Sequence, residues 1–566
     1  MRWWGWGEDS EAPAGLPAGA EEIVRSELGA GEPTPRVELE EVRLPDAALP
    51  DRARERLAAA VGEENVREDR ESRVTHAAGK GYADLVRVRA GDCSGAPDAV
   101  VAPGSADEIE AVLAACAEAG VAVVPFGAGS SVVGGVEPLR DGHAAVISLD
   151  LGRMDRLLSV DRSSLTAVFE AGLFGPRLEG LLAEQGLTLG HFPQSFEFST
   201  VGGWVATRSA GQASTGYGRI DELVEGVTLV APAGEAETRA VPASAAGPRL
   251  RDLVVGSEGV LGVISSVTLR VRPAPEERHY EGWSFRSFAE GVEAFRVMEQ
   301  ADASPDVARL SDEHETRVSL ALASSGSTAE RVGRAYLRFR GHEGGCLAIA
   351  GYEGEGGEAA ARRTRASALL RAGGGLYLGR RPGEAWLRGR YAAPYLRDEL
   401  LDRGVMVETL ETATSWSRLG YLHATVKAAI TGALAPRGTP PIVMCHVSHL
   451  YPSGASLYFT FLAQQQQRDS ALEQWWAAKS AASEAIVASG ATITHHHAVG
   501  RDHARWLGAE VGELGLDLIK AAKDRLDPAG IMNPGKLLPP TGAEAAGGYS
   551  RSQSHGSSPS PAKSAS

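Results

Sequence analysis

Cysteine is scarce in this chain. The four present, Cys93, Cys116, Cys346 and Cys445, stand apart with no Cys-x-x-Cys pair, which argues against a structural zinc and a disulfide framework and points to a reducing compartment. No uninterrupted apolar run approaches the ~20 residues that span a bilayer, and the opening Met1-Arg2-Trp3-Trp4-Gly5-Trp6 is unlike a signal peptide. Basic residues are outnumbered. The 57 Lys and Arg against 73 Asp and Glu leave a formal net charge of −16, which repels polyanions and excludes nucleic acid as a partner. The expectation is a cytoplasmic protein, with surface contact to lipid left open. Neither a Walker loop nor a helix-opening Gly-x-Gly-x-x-Gly is found at the main glycine cluster.

Glycine, by contrast, is abundant, at 68 of 566 residues, and the length allows two large domains sharing a cleft. A β-branched run, Val123-Val124, enters Pro125, Phe126, Gly127, Ala128, Gly129, Ser130 and Ser131. Such a loop can turn its N–H groups inward on an anion without a Cβ in the way, although alone it is more often an ordinary turn. Ser199 and Thr200 stand where a helix would begin, so that helix's free N–H groups could face a second phosphate or simply be capped. Gly256-Ser-Glu-Gly-Val-Leu-Gly262 adds a third glycine-rich turn. One extended anionic cofactor touching all three accounts for them together.

The rest of the pattern predicts an α+β protein. Residues 1–95 read as a partly helical N-terminal extension, loosely ordered from 7 to about 35 apart from a short helix at 20–28. Residues 96–273 read as a first large unit, with Ser105-Ala-Asp-Glu108 opening a helix over 109–119, Gly120 closing it and a buried strand over 121–125. A second α+β unit covers 274–500, residues 501–540 return to the first, and 541–566 read as a disordered tail.

Four motifs, Pro125 to Ser131, Glu197-Phe-Ser-Thr-Val-Gly-Gly-Trp204, Gly256 to Gly262 and Asp527-Pro-Ala-Gly-Ile-Met-Asn533-Pro-Gly-Lys536, together resemble FAD enzymes of the vanillyl-alcohol oxidase fold. Five more narrow the likeness: Val307-Ala-Arg309-Leu-Ser-Asp312, Pro394-Tyr-Leu-Arg397-Asp398, Cys445-His-Val-Ser-His449-Leu-Tyr451, Gly454-Ala-Ser-Leu-Tyr458-Phe459 and His495-His-His-Ala-Val-Gly500. With these the chain resembles the alkyldihydroxyacetonephosphate synthase family over about residues 95–540. The resemblance implies a vanillyl-alcohol oxidase-type FAD-binding domain with an α+β cap domain, and FAD bound noncovalently. It places FAD contacts at Pro125 to Ser131; at Gln194, Ser195, Phe196, Glu197, Phe198, Ser199 and Thr200; at Thr207, Arg208, Ser209 and Ala210; and at Glu258, Gly259, Val260, Leu261, Gly262, Val263 and Ile264. Ala498 departs from the family, which usually has glycine there.

The implied reaction exchanges the fatty acid of acyl-dihydroxyacetone phosphate for a long-chain fatty alcohol, forming an ether with no net redox change. The resemblance assigns proton transfer to Tyr458, with His495, His496 and His497 as donors and relay, Arg309 as an arginine needed for activity and Arg397 as partner of the phosphate or the leaving carboxylate. A phenol with a pKa near 10 needs positive charge or donors nearby to act as a base. Three consecutive histidines on an extended strand would present alternate rings to the flavin. Without the family, Tyr458 reads as a core tyrosine and Arg397 as half of a solvated ion pair, and a metal on the histidines would need His446 and His449 close by. No metal is expected, and a homodimer is. The rival reading is an FAD-dependent 2-hydroxy-acid oxidase or dehydrogenase, disfavoured because Gly-His-x-Gly-Asp-Gly-Asn and Glu-His-Gly segments are missing. A flavin-binding protein without turnover is a third.

Overall fold

The computed structural model describes residues 1–8, 15–29, 31–323, 327–355 and 357–539. The expected disordered tail at 541–566, and residues 9–14 of the N-terminal stretch, lie outside these. Within the first large unit, Val121–Phe126, Ala145–Asp150 and Ala99–Val101 run parallel, joined edge to edge with Val66–Arg67 in a four-stranded sheet. The crossover helix Ala106–Ala119 starts because the Ser105 hydroxyl accepts the Glu108 N–H, and it stops at Gly120 in the left-handed region. Its apolar stripe, Ile109, Val112, Leu113 and Cys116, packs into the core shared with a second, five-stranded antiparallel sheet.

The cap is one seven-stranded antiparallel sheet in the order Leu376–Gly379, Glu277–Phe285, Cys346–Gly354, Val307–Ser311, Ile442–Tyr451, Gly454–Gln464, Val405–Ser415. Period-two alternation sorts its two faces. Leu410, Cys445, Leu457, Phe459 and Phe461 join a core with the helices Phe288–Gln300, Trp416–Leu434 and Arg468–Ala488. Each large apolar side chain so buried contributes roughly 2 kcal/mol. On the opposite face a polar row crosses three strand pairs in register: Ser311 beside His446, His446 beside Tyr458, and Tyr458 beside Glu411. That row floors the functional cleft.

The closing motif is a clasp. Val123 donates to the Ile531 carbonyl and Asn533 to the Val123 carbonyl, each at 2.8 Å, while the Asp527 carboxylate accepts from Ile531 and Met532. Asn533 Nδ2 then bridges the carbonyls of Gly135 (3.2 Å) and Glu258 (2.6 Å), tying the first glycine loop to the third.

The N-terminal stretch is docked, contrary to the loose order expected for it. Ile23 and Leu28 pack against Val405, Val407 and Leu462, and the Thr34 N–H donates to the Leu401 carbonyl. Buried Lys80 donates to the carbonyls of Arg2 and Trp3, which brings Trp6 to the rim of the cleft.

Candidate functional site

The strand Val121–Phe126 delivers the chain to the glycine loop, which faces the start of the helix Val201–Thr207. A Cβ on Gly127 would lie 2.3 Å from Thr200 Oγ1, so only glycine permits this approach. Thr200 caps the helix through Gly203 N–H at 3.4 Å, and Ser199 Oγ accepts the Trp204 indole N–H at 2.7 Å. Among the described residues, no backbone N–H of residues 127 to 132 has a hydrogen-bond acceptor. A row of unspent donors on a glycine loop, opposite a helix N-terminus, fits the diphosphate of FAD.

Of the sequence-predicted cofactor residues, Gly127 to Ser131, Gln194, Ser195, Ser199, Thr200, Thr207, Ser209 and Ala210 line one cleft of about 350 Å³. Arg208, Glu258 and Leu261, again with Thr207, line an adjoining cavity of about 560 Å³. The others stand behind these walls. Pro125 packs under Gly259, Phe126 lies against His76, Phe196 stacks over Trp204, and Phe198 meets the Trp6 ring edge-on. Glu197 Oε2 accepts from the Tyr395 hydroxyl of the cap. Gly262 sits where a Cβ would strike the Val230 carbonyl at 2.7 Å, Val260 donates to the Ser257 carbonyl, and Val263 and Ile264 pair in the sheet with Val230 and Leu229.

From the cap, the same cleft receives Arg309, Arg397, Tyr458, His446, His449, His496 and His497. Tyr458 stacks on His446 (5.0 Å between ring centroids) and on His496 (5.8 Å), with His497 edge-on at 5.5 Å. Burial pushes the Tyr458 phenol up from its ordinary value, opposed by the Thr409 hydroxyl and the Arg397 charge. Arg397 is buried, not part of a solvated pair, and its neighbour Asp398 accepts the Trp6 N–H. Arg309 pairs with Glu315, whose other oxygen meets His446 Nδ1 at 2.9 Å. Burial raises the Glu315 carboxyl, but His446 and Arg309 together outweigh it and hold the group at about 2. Arg309, Glu315, His446 and Tyr458 thus form one connected line.

The histidine triplet is not a strand. Residues 495–497 form a bend in which all three backbone N–H groups point at the Glu411 carboxylate. His496 and His497 turn into the cleft, while His495 faces the adjoining cavity and shares a 2.6 Å hydrogen bond with the Tyr451 hydroxyl. Ala498 follows at φ 78°, in the left-handed region, which is the conformation a glycine would adopt without cost. His449 does come close to the triplet: nitrogens of His449, His495 and His496 lie within 4.8 Å of one another, a spacing that could hold a metal ion. In the structure, however, His449 Nε2 donates to the Gly211 carbonyl and His495 Nδ1 meets His496 Nδ1 at 3.0 Å.

Sequence reasoning missed Glu315, Glu411, Thr409 and Trp6 as parts of the site. Acidic residues in strands and helices carry no local signal of what they will face; the aromatic residues at 3–6 were the one available signal for a docked terminus, and they were read only as unlike a signal peptide.

Burial drives the imidazoles of His191, His449 and His496 down to about 3, and those of His497 and His503 to about 4. Each is neutral in the fold, whereas in the unfolded chain it takes up a proton below about pH 6.5. Stability is therefore full above that pH and falls as the solution is acidified toward pH 4, by roughly 1.4 kcal/mol per pH unit for each such histidine. Denaturant unfolding at pH 7.5 and 5.5 is expected to show a lower midpoint at 5.5, and an unchanged or higher midpoint would contradict the neutral, buried state of these rings.

Comparison with known proteins fits this geometry. The family model described as FAD binding domain matches residues 97–239, and that described as FAD linked oxidases, C-terminal domain, matches residues 274–537. The chain is therefore an FAD-linked, oxidase-type protein of the vanillyl-alcohol oxidase fold, with an FAD-binding unit and a cap. It is 34% identical over 514 residues to the alkyldihydroxyacetonephosphate synthase of Dictyostelium discoideum, covering 89% of this chain and 84% of that one. Identity to the Trypanosoma brucei brucei synthase is 34% over 517 residues, covering 90% and 84%. A solved alkyldihydroxyacetonephosphate synthase structure superposes with a TM-score of 0.81 at 30% identity, covering 94% of this chain and 98% of that one. The chain belongs to the alkyldihydroxyacetonephosphate synthase family.

Proposed function

We propose that this protein exchanges the acyl group of acyl-dihydroxyacetone phosphate for a long-chain fatty alcohol, with FAD held noncovalently between a flavin half at 96–273 and a substrate half at 274–500. The observation that carries the reading is Tyr458, clasped by His446, His496 and His497, opening into the same cleft as the donor-lined loop 127–131. FAD supplies an electrophilic ring system, used here without net electron transfer.

The chain's own residues do the rest. Arg397, fixed by burial, offers its planar fork to the substrate phosphate or the departing carboxylate. Tyr458 first passes its own proton to a neutral imidazole beside it and then, as the phenolate, takes the proton from the substrate carbon; the imidazoles return protons as the carboxylate leaves and the alcohol adds. Over the cycle the alcohol loses its proton, the ether C–O bond forms, the ester C–O bond breaks and the fatty acid departs.

The tails need an apolar route, and the cavity of about 560 Å³ behind His495 and His496 supplies one, walled by Leu253, Val255, Leu261, Val511 and Ile519. Leu253 and Val511 are exposed at its mouth, and Leu514 (73% exposed) and Leu518 (65%) continue the helix outward. Among the described residues no helix is long and apolar enough to cross a membrane. An exposed apolar rim of this kind suits a peripheral lipid contact of a cytoplasmic, dimeric enzyme.

Purified protein given palmitoyl-dihydroxyacetone phosphate and hexadecanol is expected to yield the alkyl product by mass spectrometry, with no bleaching of the flavin. Anaerobic bleaching by D-lactate or glycolate, without alkyl product, would replace this reading with the hydroxy-acid oxidase.

A further inference from the structure

We propose that Glu411 is the positioning residue of the site, an anion around which the bend at 495–497 is wound and against which two imidazoles are set at Tyr458. The inference rests on the proposed synthase reaction for its activity readout, and on geometry alone for its structural one.

Glu411 lies on the central part of the strand Val405–Ser415, directly across from Tyr458 on the same face of the sheet. It is 2% exposed. Its two oxygens accept the backbone N–H of His495, of His496 (3.0 Å) and of His497 (2.8 Å), together with the Thr494 hydroxyl at 2.5 Å. Three successive amides aimed at one carboxylate form an anion nest, and a nest whose anion is a side chain fixes the chain that makes it. Four donors also offset the cost of burying the charge. Burial alone would raise the Glu411 carboxyl, yet it is held well below the usual carboxylate range; with the neighbouring imidazoles neutral at working pH, the Thr494 hydroxyl and the three amide N–H groups are what favour its ionised form.

The chemistry is affected in two ways. First, the backbone of His496 and His497 is pinned at the atom next to each Cα, which fixes the direction in which each side chain leaves the chain. Second, His496 Nδ1 is 3.5 Å and His497 Nδ1 3.8 Å from the carboxylate. A proton passed from Tyr458 to either ring would therefore arrive beside a fixed negative charge, which favours the imidazolium that must form transiently. Nothing in this role requires Glu411 to touch substrate or flavin.

The test compares Glu411→Gln with Glu411→Asp in FAD-loaded protein. Gln keeps the shape but turns an N–H₂ toward three N–H donors, whereas Asp keeps the charge on a shorter stem. A positioning anion predicts kcat down about 100-fold in E411Q with KM within about threefold, and E411D closer to the natural enzyme. A side chain that merely fills space predicts the reverse order, since Gln is the better fit, and that result would overturn the proposal. If E411Q fails to fold, hydrogen exchange in the natural protein decides. The amides of 495–497 should be among the protected ones, and rapid exchange there would also overturn it. Because exchange needs no substrate, protected amides in a protein without alkyl transfer would count against the synthase reading and leave the nest standing.

Discussion

Replacing Tyr458 with Phe is expected to lower the rate of alkyl transfer by about 10³-fold, within the range that a positioned acid or base contributes, while the protein remains yellow and fully loaded with FAD. The substitution removes one oxygen and nothing else. The ring stays where it is because its stacking on His446 and His496 and its edge contact with His497 involve the ring and not the hydroxyl. The strand Gly454–Gln464 keeps its pairing on both sides, since those bonds are backbone. Burial keeps the phenol protonated in the resting state, so its deprotonation depends on Arg397 and on the partner that takes the proton. The loss should therefore appear in kcat, with the FAD-to-protein ratio from absorbance unchanged and KM little altered. A Tyr458→Phe variant that forms ether lipid at the natural rate would remove Tyr458 from the proton transfer, and one that loses FAD would make the tyrosine a cofactor contact instead.

What was legible in the sequence was what local chemistry decides. The Ser105 cap, the Gly120 stop and the strand entering the glycine loop each depend on residues within one turn of each other, and each stands where the pattern puts it. The family motifs likewise named the residues that meet in the cleft. The bend at 495–497 was not legible, because Thr494-His-His-His-Ala498 contains no turn residue. Its conformation is imposed by a carboxylate lying 84 to 86 positions earlier in the chain. Read as a strand, the triplet would present alternate rings; wound around Glu411, it presents His496 and His497 to the cleft and His495 behind it. The burial of Arg397, which the family motif placed at the site but which reads as half of a solvated pair without it, was not legible either. Its helix, Ala393–Leu401, looks solvated in isolation, whereas in the fold Arg397 is buried in the cleft wall and the Trp6 N–H rests on Asp398. In both cases the partner is remote in sequence and polar, so neither hydrophobic periodicity nor spacing can announce it.

Gly127→Ala is expected to weaken FAD binding by at least about 100-fold, giving a largely colourless protein. The added methyl would sit 2.3 Å from Thr200 Oγ1, far inside contact distance. Two relaxations are open, and both spoil the site. If Thr200 swings away, the helix Val201–Thr207 loses the side-chain cap on Gly203 and its N-terminus shifts from the loop. If the loop withdraws instead, the N–H groups of 127 to 132 no longer converge. A hydrogen bond to a charged group contributes roughly 1.5–3 kcal/mol, so losing two from a diphosphate costs at least about 3 kcal/mol, which is about two orders of magnitude in Kd. Titration of the apoprotein with FAD, followed by quenching of flavin fluorescence, measures this directly. Gly180→Ala is the control, since a Cβ there meets nothing within 4 Å and the residue lies inside the helix Gly175–Ala183, where alanine is favoured over glycine. Equal FAD affinity in G127A and G180A would mean that the cofactor does not depend on the close approach of loop and helix, and the diphosphate would have to be sought elsewhere in the first unit.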